Sequence, residues 1–240
     1  MNFQLENSKD IKEKIDQKKV ALLPIGATEA HGPHLPLATD TILAERLSYQ
    51  LAEEINAFVL PSLPYGQVWS LKNFPGSINV SNESLISLIF DIGKSLYEQG
   101  FTVLAIINAH LGNQVAMKEA ARKLYSEISD FKVFYFFYPG MDSVVRQVSE
   151  SNRAHSTYFH ACEIETSIML YLAEEYVRMD RAINELPTLP PDADFTPTPW
   201  EEFTNSGVLG EAKLATKEKG EKIVQRALQE MAKIINDAKK

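Results

Sequence analysis

The run Val20-Ala21-Leu22-Leu23-Pro24-Ile25 carries no polar side chain and stops at Gly26. Six residues are too few for a buried helix, so the run reads as a strand covered on both faces. Residues 101–108 read the same way, and residues 57–60 and 132–138 read as further strands. Segments of helical period lie between these runs. From Thr39 or Asp40 to about residue 55, Ile42, Leu43, Arg46 and Leu47 keep helical spacing. Ser81 is an N-cap with Glu83 in the first turn, and Leu85, Leu88, Ile89, Ile92 and Leu96 line one face before Gly100. Further helices are expected after the turn at 110–113, to about Ser126, and from Cys162 to about Tyr176. From Ala215 onward, Val224, Ala227, Leu228, Met231 and Ile235 share an apolar side. Strand and helix in alternation predict an α/β fold, with a mainly parallel sheet flanked by helices on both faces. The 240 residues suit one such domain, 1–240.

Two segments resist this pattern. Residues 61–80 hold Pro61, Pro64, Gly66, Pro75 and Gly76, and read as a long irregular loop of the kind that carries function. Residues 187–199 contain five prolines and cannot be regular structure. They read as a linker or an arm over a neighbour. The formal charge of −8 repels nucleic acid and anionic membrane, so neither is an expected partner. No run of about 18 apolar residues exists to span a bilayer. The N-terminal stretch lacks an apolar signal core, and the single Cys162 permits no intramolecular disulfide, so a cytoplasmic protein is expected.

The chemistry concentrates in three loops that follow strands or open helices. Residues 26–40 include Glu29, His31 and Asp40. In extended chain Glu29 and His31 point the same way, and Asp40 at a helix start can swing back toward them. Residues 108–113 carry His110 on the same expected rim of the sheet. Residues 155–167 add His155, His160, Glu163 and Glu165. Singly, each has a plain explanation: a surface histidine, a helix-favouring carboxylate, an N-cap. Three separate loops bearing metal-type side chains are harder to explain as structure alone. Carboxylate and imidazole suit zinc, manganese or iron(II), and a carboxylate can bridge two ions. Cys162 reads as a packing residue. No Gly-x-Gly-x-x-Gly follows the first strand, which argues against a dinucleotide-binding oxidoreductase.

These motifs resemble those of the creatininase (creatinine amidohydrolase) family along nearly the whole chain. The stretch from Leu23 through Pro36 to Asp40 is similar to its leading motif. Asn108-Ala109-His110-Leu111-Gly112-Asn113 is similar to its Asn-Gly-His-Gly-Gly-Asn turn, and Phe74-Pro75-Gly76-Ser77 to its Phe-Pro-Gly-Thr loop. Residues 160–167 resemble His-Ala-Gly-Glu-x-Glu-Thr-Ser, and Ser206–Gly210 with Lys219-Gly220-Glu221 resemble the closing signature. The resemblance implies a layered α/β fold, a centre of two divalent ions (Zn2+, Mn2+ or Fe2+) and a homohexamer. It implies that Glu29 and His110 serve one ion, His31 the other, and that Asp40 bridges them.

Departures from the family pattern sharpen the expectation. In creatininase proper a metal-binding Glu stands where this chain has Gly112, and Glu165 is the expected replacement ligand. Val68, Ser70 and Leu71 replace a Ser and a Glu-His pair, and Leu111 replaces a small residue, which argues against creatinine itself as substrate. The expected activity is hydrolysis of a small molecule's amide, cyclic amide or formamide C–N bond by a metal-activated hydroxide. His160 would protonate the leaving nitrogen and Glu163 would orient His160. Trp69, Phe74 and Ser70 would face the substrate, and His34 would support the first loop. The alternatives are opening of a lactone or inosose-type ring on the same scaffold, or a metal-binding protein without activity.

Overall fold

The structure is a computed structural model that describes residues 1–152, 154–155 and 157–238. Strands β1 (Val20–Ile25), β2 (Phe58–Val59), β3 (Val103–Asn108) and β4 (Lys132–Phe136) form a parallel sheet in the order β2-β1-β3-β4. Val20–Ile25 runs in register beside Val103–Asn108, and Val103–Ile107 beside Lys132–Phe136. The helices are α1 (Ser8–Ile15), α2 (Thr39–Ile55), α3 (Asn82–Glu98), α4 (Gln114–Glu127), α5 (Met141–Val148), α6 (Glu163–Leu172) and α7 (Lys217–Asp237). A short antiparallel pair, β5 (Asn184–Glu185) and β6 (Gly210–Glu211), lies apart from the sheet.

Successive strand side chains point to opposite faces. Val20, Leu22, Val103, Ala105 and Ile107 join one core with residues of α2, α6 and α7. Ala21, Leu23, Ile25, Leu104 and Ile106 join the other with residues of α1, α3 and α4. Two buried faces explain why β1 has no polar position, and they make the expected sheet with helices on both sides.

Several boundaries differ from the sequence reading. The 57–60 run contributes only Phe58–Val59 to the sheet. β4 ends at Phe136, because Tyr138 takes a φ of 40°, outside the extended region. α6 ends at Leu172 and gives way to a 3-10 turn at Glu174–Tyr176. Helices α1 and α5 were not legible beforehand, since eight residues give little periodicity to read. Residues 187–199 hold no helix or strand, and 193–198 fold back over a cavity of their own chain. Among the described residues, no helix is long and apolar enough to cross a membrane.

Candidate metal centre

The carboxyl ends of β1 and β3 open onto one cavity of about 520 Å³. Side chains from three distant segments cluster at this rim of the sheet, and all but His31 line the cavity. Glu29 and His31 come from the loop after β1, and Asp40 from the first turn of α2. His110 comes from the turn after β3, and His160 and Glu165 from the start of α6. All six are buried.

Their donor atoms interlock. His110 Nδ1 lies 3.0 Å from Glu29 Oε1 and 3.1 Å from Asp40 Oδ2. His31 Nε2 lies 3.3 Å from Asp40 Oδ1 and 3.6 Å from Glu165 Oε2. His160 Nδ1 stands 3.7 Å from Glu29 Oε1 and 3.9 Å from Glu165 Oε2. Glu29, Asp40 and His110 can converge on one point, and His31, Asp40 and Glu165 on another, the donors of each set lying within 4.8 Å of one another. Asp40 belongs to both sets, as a bridging carboxylate would. Glu29, His31 and His160 make a third possible set.

Each imidazole also has a backbone acceptor behind it. His31 Nδ1 meets the Glu29 carbonyl at 3.1 Å, His110 Nε2 the Gln67 carbonyl at 2.7 Å, and His160 Nε2 the Ala30 carbonyl at 2.7 Å. These bonds place the ring proton on the far nitrogen, which leaves the near nitrogen free to ligate. His31 Nε2 and Asp40 Oδ2 are buried without a hydrogen-bond partner of their own. Three buried carboxylates, inward-facing imidazoles and orphaned donor atoms fit divalent cations, since buried polar atoms otherwise find hydrogen bonds.

The electrostatics agree. Burial disfavours charge on His31, but Asp40 and Glu165 outweigh it and hold the imidazole pKa well above the ordinary value. Burial acts the same way on His110, and Glu29 and Asp40 outweigh it. Burial would raise the Asp40 pKa, yet His31 and His110 hold it well below the usual carboxylate range. A carboxylate cluster that holds protons on two buried imidazoles also attracts cations, and metal binding there releases protons.

Gly112 explains one departure from the family pattern. A Cβ at that position would lie 2.3 Å from the Gln67 carbonyl oxygen and 2.5 Å from His110 Nε2. The backbone carbonyl that orients His110 thus occupies the space a side chain would need. Glu165 supplies a carboxylate from the first turn of α6, with Oε2 also accepting from Ala161 N at 2.6 Å.

Three sequence expectations need correction or relocation. Glu163 does not orient His160: its carboxylate accepts from Ser149 Oγ, Ser151 N and Lys219 Nζ, on the far side of α6. Burial would raise its pKa, but Lys219 and Ser151 pull it down to about 2. Phe74 does not line the cavity; it packs beneath the loop against the small cluster of Ala27, Val68 and Leu71. Trp69 and Ser70 do line it. His155 lies away from the six donors, paired with Asp194 at 3.1 Å and stacked on Tyr158 at 4.4 Å, tying residues 193–198 down. The walls that sequence reasoning missed are Phe137, Tyr158, Phe159 and Trp200. Trp200 sits edge-on to His160 with centroids 5.7 Å apart. Its only advance signal is its position just after the proline-rich segment.

His34 supports the loop, as expected. Its Nε2 meets Thr166 Oγ1 at 2.9 Å, and burial pushes its pKa down to about 4. The unfolded chain takes up this proton near pH 6.5, the folded chain only near 4. Stability therefore falls as pH drops through that window, by at most about 1.4 kcal/mol per unit. Urea unfolding between pH 7 and 4.5 should show a shallower pH slope for His34→Gln than for the unaltered protein.

Fold and donor set together define an α/β protein with a candidate centre for divalent cations. The sequence pattern of the creatininase family, described as creatinine amidohydrolase, matches residues 4–235. The chain belongs to that family. It is 32% identical over 231 residues to the creatinine amidohydrolase of Pseudomonas putida, covering 91% of this chain and 89% of that one. It is 24% identical to a 3-dehydro-scyllo-inosose hydrolase of Thermotoga maritima, covering 98% and 82%. Among solved structures, a mutant creatininase of Zn-Zn type superposes with a TM-score of 0.87 at 30% identity, covering 99% and 97%.

Proposed function

We propose that this protein hydrolyses a C–N bond, in an amide, cyclic amide or formamide, of a small molecule at a two-cation centre. The observation that carries this reading is the pair of donor sets sharing Asp40 at the floor of the cavity. Glu29, Asp40 and His110 would hold one ion, and His31, Asp40 and Glu165 the other. Zn2+, Mn2+ or Fe2+ bound there would lower the pKa of water toward about 7 and polarise a carbonyl. The chain's own groups supply the rest. His160 Nδ1 faces the same space while Nε2 is anchored on Ala30, so this imidazole can carry a proton to the departing nitrogen. Trp69, Phe137, Phe159 and Trp200 offer flat apolar walls, and Ser70 and the residues 193–198 lie at the mouth. Among the described residues, no Lys or Arg lines the cavity.

The inosose hydrolase relative keeps one second reading open, ring opening of a sugar-derived ketone or lactone. Protein reconstituted with each of the three metals should hydrolyse at least one compound from a panel of cyclic amides and formamides. Activity confined to lactones or inososes would transfer the assignment to the second reading. The family resemblance supports a homohexamer, and light scattering should then give about six times the 27.0 kDa chain mass.

A further inference from the structure

We propose that Lys219 and Glu163 form a brace that positions the first turn of α6, and with it Glu165, for the second cation. This rests on the two-cation reading above. Lys219 stands in the first turn of α7 and is 9% exposed. Its Nζ donates to the Glu163 carboxylate, to Glu150 Oε1 at 2.6 Å and to the Leu214 carbonyl at 2.8 Å. These three acceptors use all the ammonium protons.

Glu163 is fully buried, and its carboxylate is saturated from the other side. Oε2 accepts from Ser149 Oγ at 2.8 Å and Ser151 N at 2.9 Å, and Oε1 accepts from Glu150 N at 3.1 Å. The ion pair thus joins the end of α5, the start of α6 and the start of α7.

The next residue tightens the same joint. A Cβ on Gly220 would lie 1.9 Å from the Ser167 carbonyl oxygen, so the α6 and α7 backbones touch there. Ser167 Oγ donates to the Glu163 carbonyl at 2.6 Å and accepts from Thr216 N at 3.0 Å. Glu165 lies two residues after Glu163 in this pinned turn, and His160 three residues before it.

Burying two charges is costly, and a well-packed apolar pair commonly matches a buried ion pair for stability. What an apolar pair lacks is direction. The carboxylate of Glu163 fixes the rotation of the first turn of α6, and that rotation aims Glu165 at His31 and Asp40. Lys219 and Glu163 are positioning residues, and neither touches the centre.

The test titrates Mn2+ into metal-free protein by calorimetry, alongside metal content per chain and melting temperature. The unaltered protein binds two ions per chain. Lys219→Met should keep the ion held by Glu29, Asp40 and His110 and bind the second about 10- to 100-fold more weakly. Lys219→Arg should restore the second site. Should Lys219→Met fail to fold, Glu163→Gln replaces it: this variant keeps the hydrogen-bonding shape but loses the charge, and the second site should weaken again. Two ions bound to a folded variant with unaltered affinity, whatever its melting temperature, would overturn the brace alone. One ion per chain in the unaltered protein would overturn the two-cation reading and the brace with it.

Discussion

Asp40→Ala should empty both cation sites and lower hydrolysis by more than about 10³-fold. Asp40 is the one carboxylate common to the two donor sets, with Oδ1 3.3 Å from His31 Nε2 and Oδ2 3.1 Å from His110 Nδ1. Loss of Glu29 or Glu165 leaves the other set intact, but loss of Asp40 leaves each set two donors. The fold should survive. Asp40 is not the N-cap of α2, and Glu165 and Glu29 remain as carboxylate partners of His31 and His110. Elemental analysis after dialysis and circular dichroism separate metal loss from unfolding. A folded Asp40→Ala protein that still held two ions and turned over substrate would end the shared-ligand assignment.

His160→Ala should keep its metal and lose about 10²- to 10⁴-fold in kcat, the range of general acid–base contributions. The donor sets that include Asp40 do not need His160, whereas its Nδ1 faces the cavity between Glu29 and Glu165. The Ala30 carbonyl and the Trp200 edge hold the ring in place, so the loss should appear in kcat more than in KM. Added imidazole should restore part of the rate by occupying the vacated space. Unaltered turnover would remove His160 from the chemistry, and loss of metal would instead make it a ligand of the set with Glu29 and His31.

Glu29, His31, Asp40 and His110 were readable because each lies in the passage from a strand to the following loop or helix. β1 is apolar along its whole length and β3 as far as Ile107, and the switch to Glu29, His31 and His110 just past their ends marks the rim of a sheet. Glu165 was named from the family's Gly-Gly turn. The structure adds the reason for that turn, since the Gln67 carbonyl fills the space beside Gly112. Glu163 was misread because sequence proximity to His160 says nothing about direction. At the first turn of a helix, residues three apart project across the axis only as the incoming chain allows, and Ala161 at a φ of 46° turns His160 away from Glu163.

By itself the sequence determined the parallel α/β layering, the carboxylate-and-imidazole chemistry and the segments that carry it, because continuous apolar runs, helical spacing and strand-end positions are local properties. Only the tertiary structure decided that Phe137, Tyr158, Phe159 and Trp200 wall the cavity, and that Glu163 answers to Lys219. Those facts depend on where chain segments 50 to 130 residues apart come to rest. Packing of α6 against α7, and of residues 193–198 over the sheet edge, sets those distances, and no local pattern encodes them.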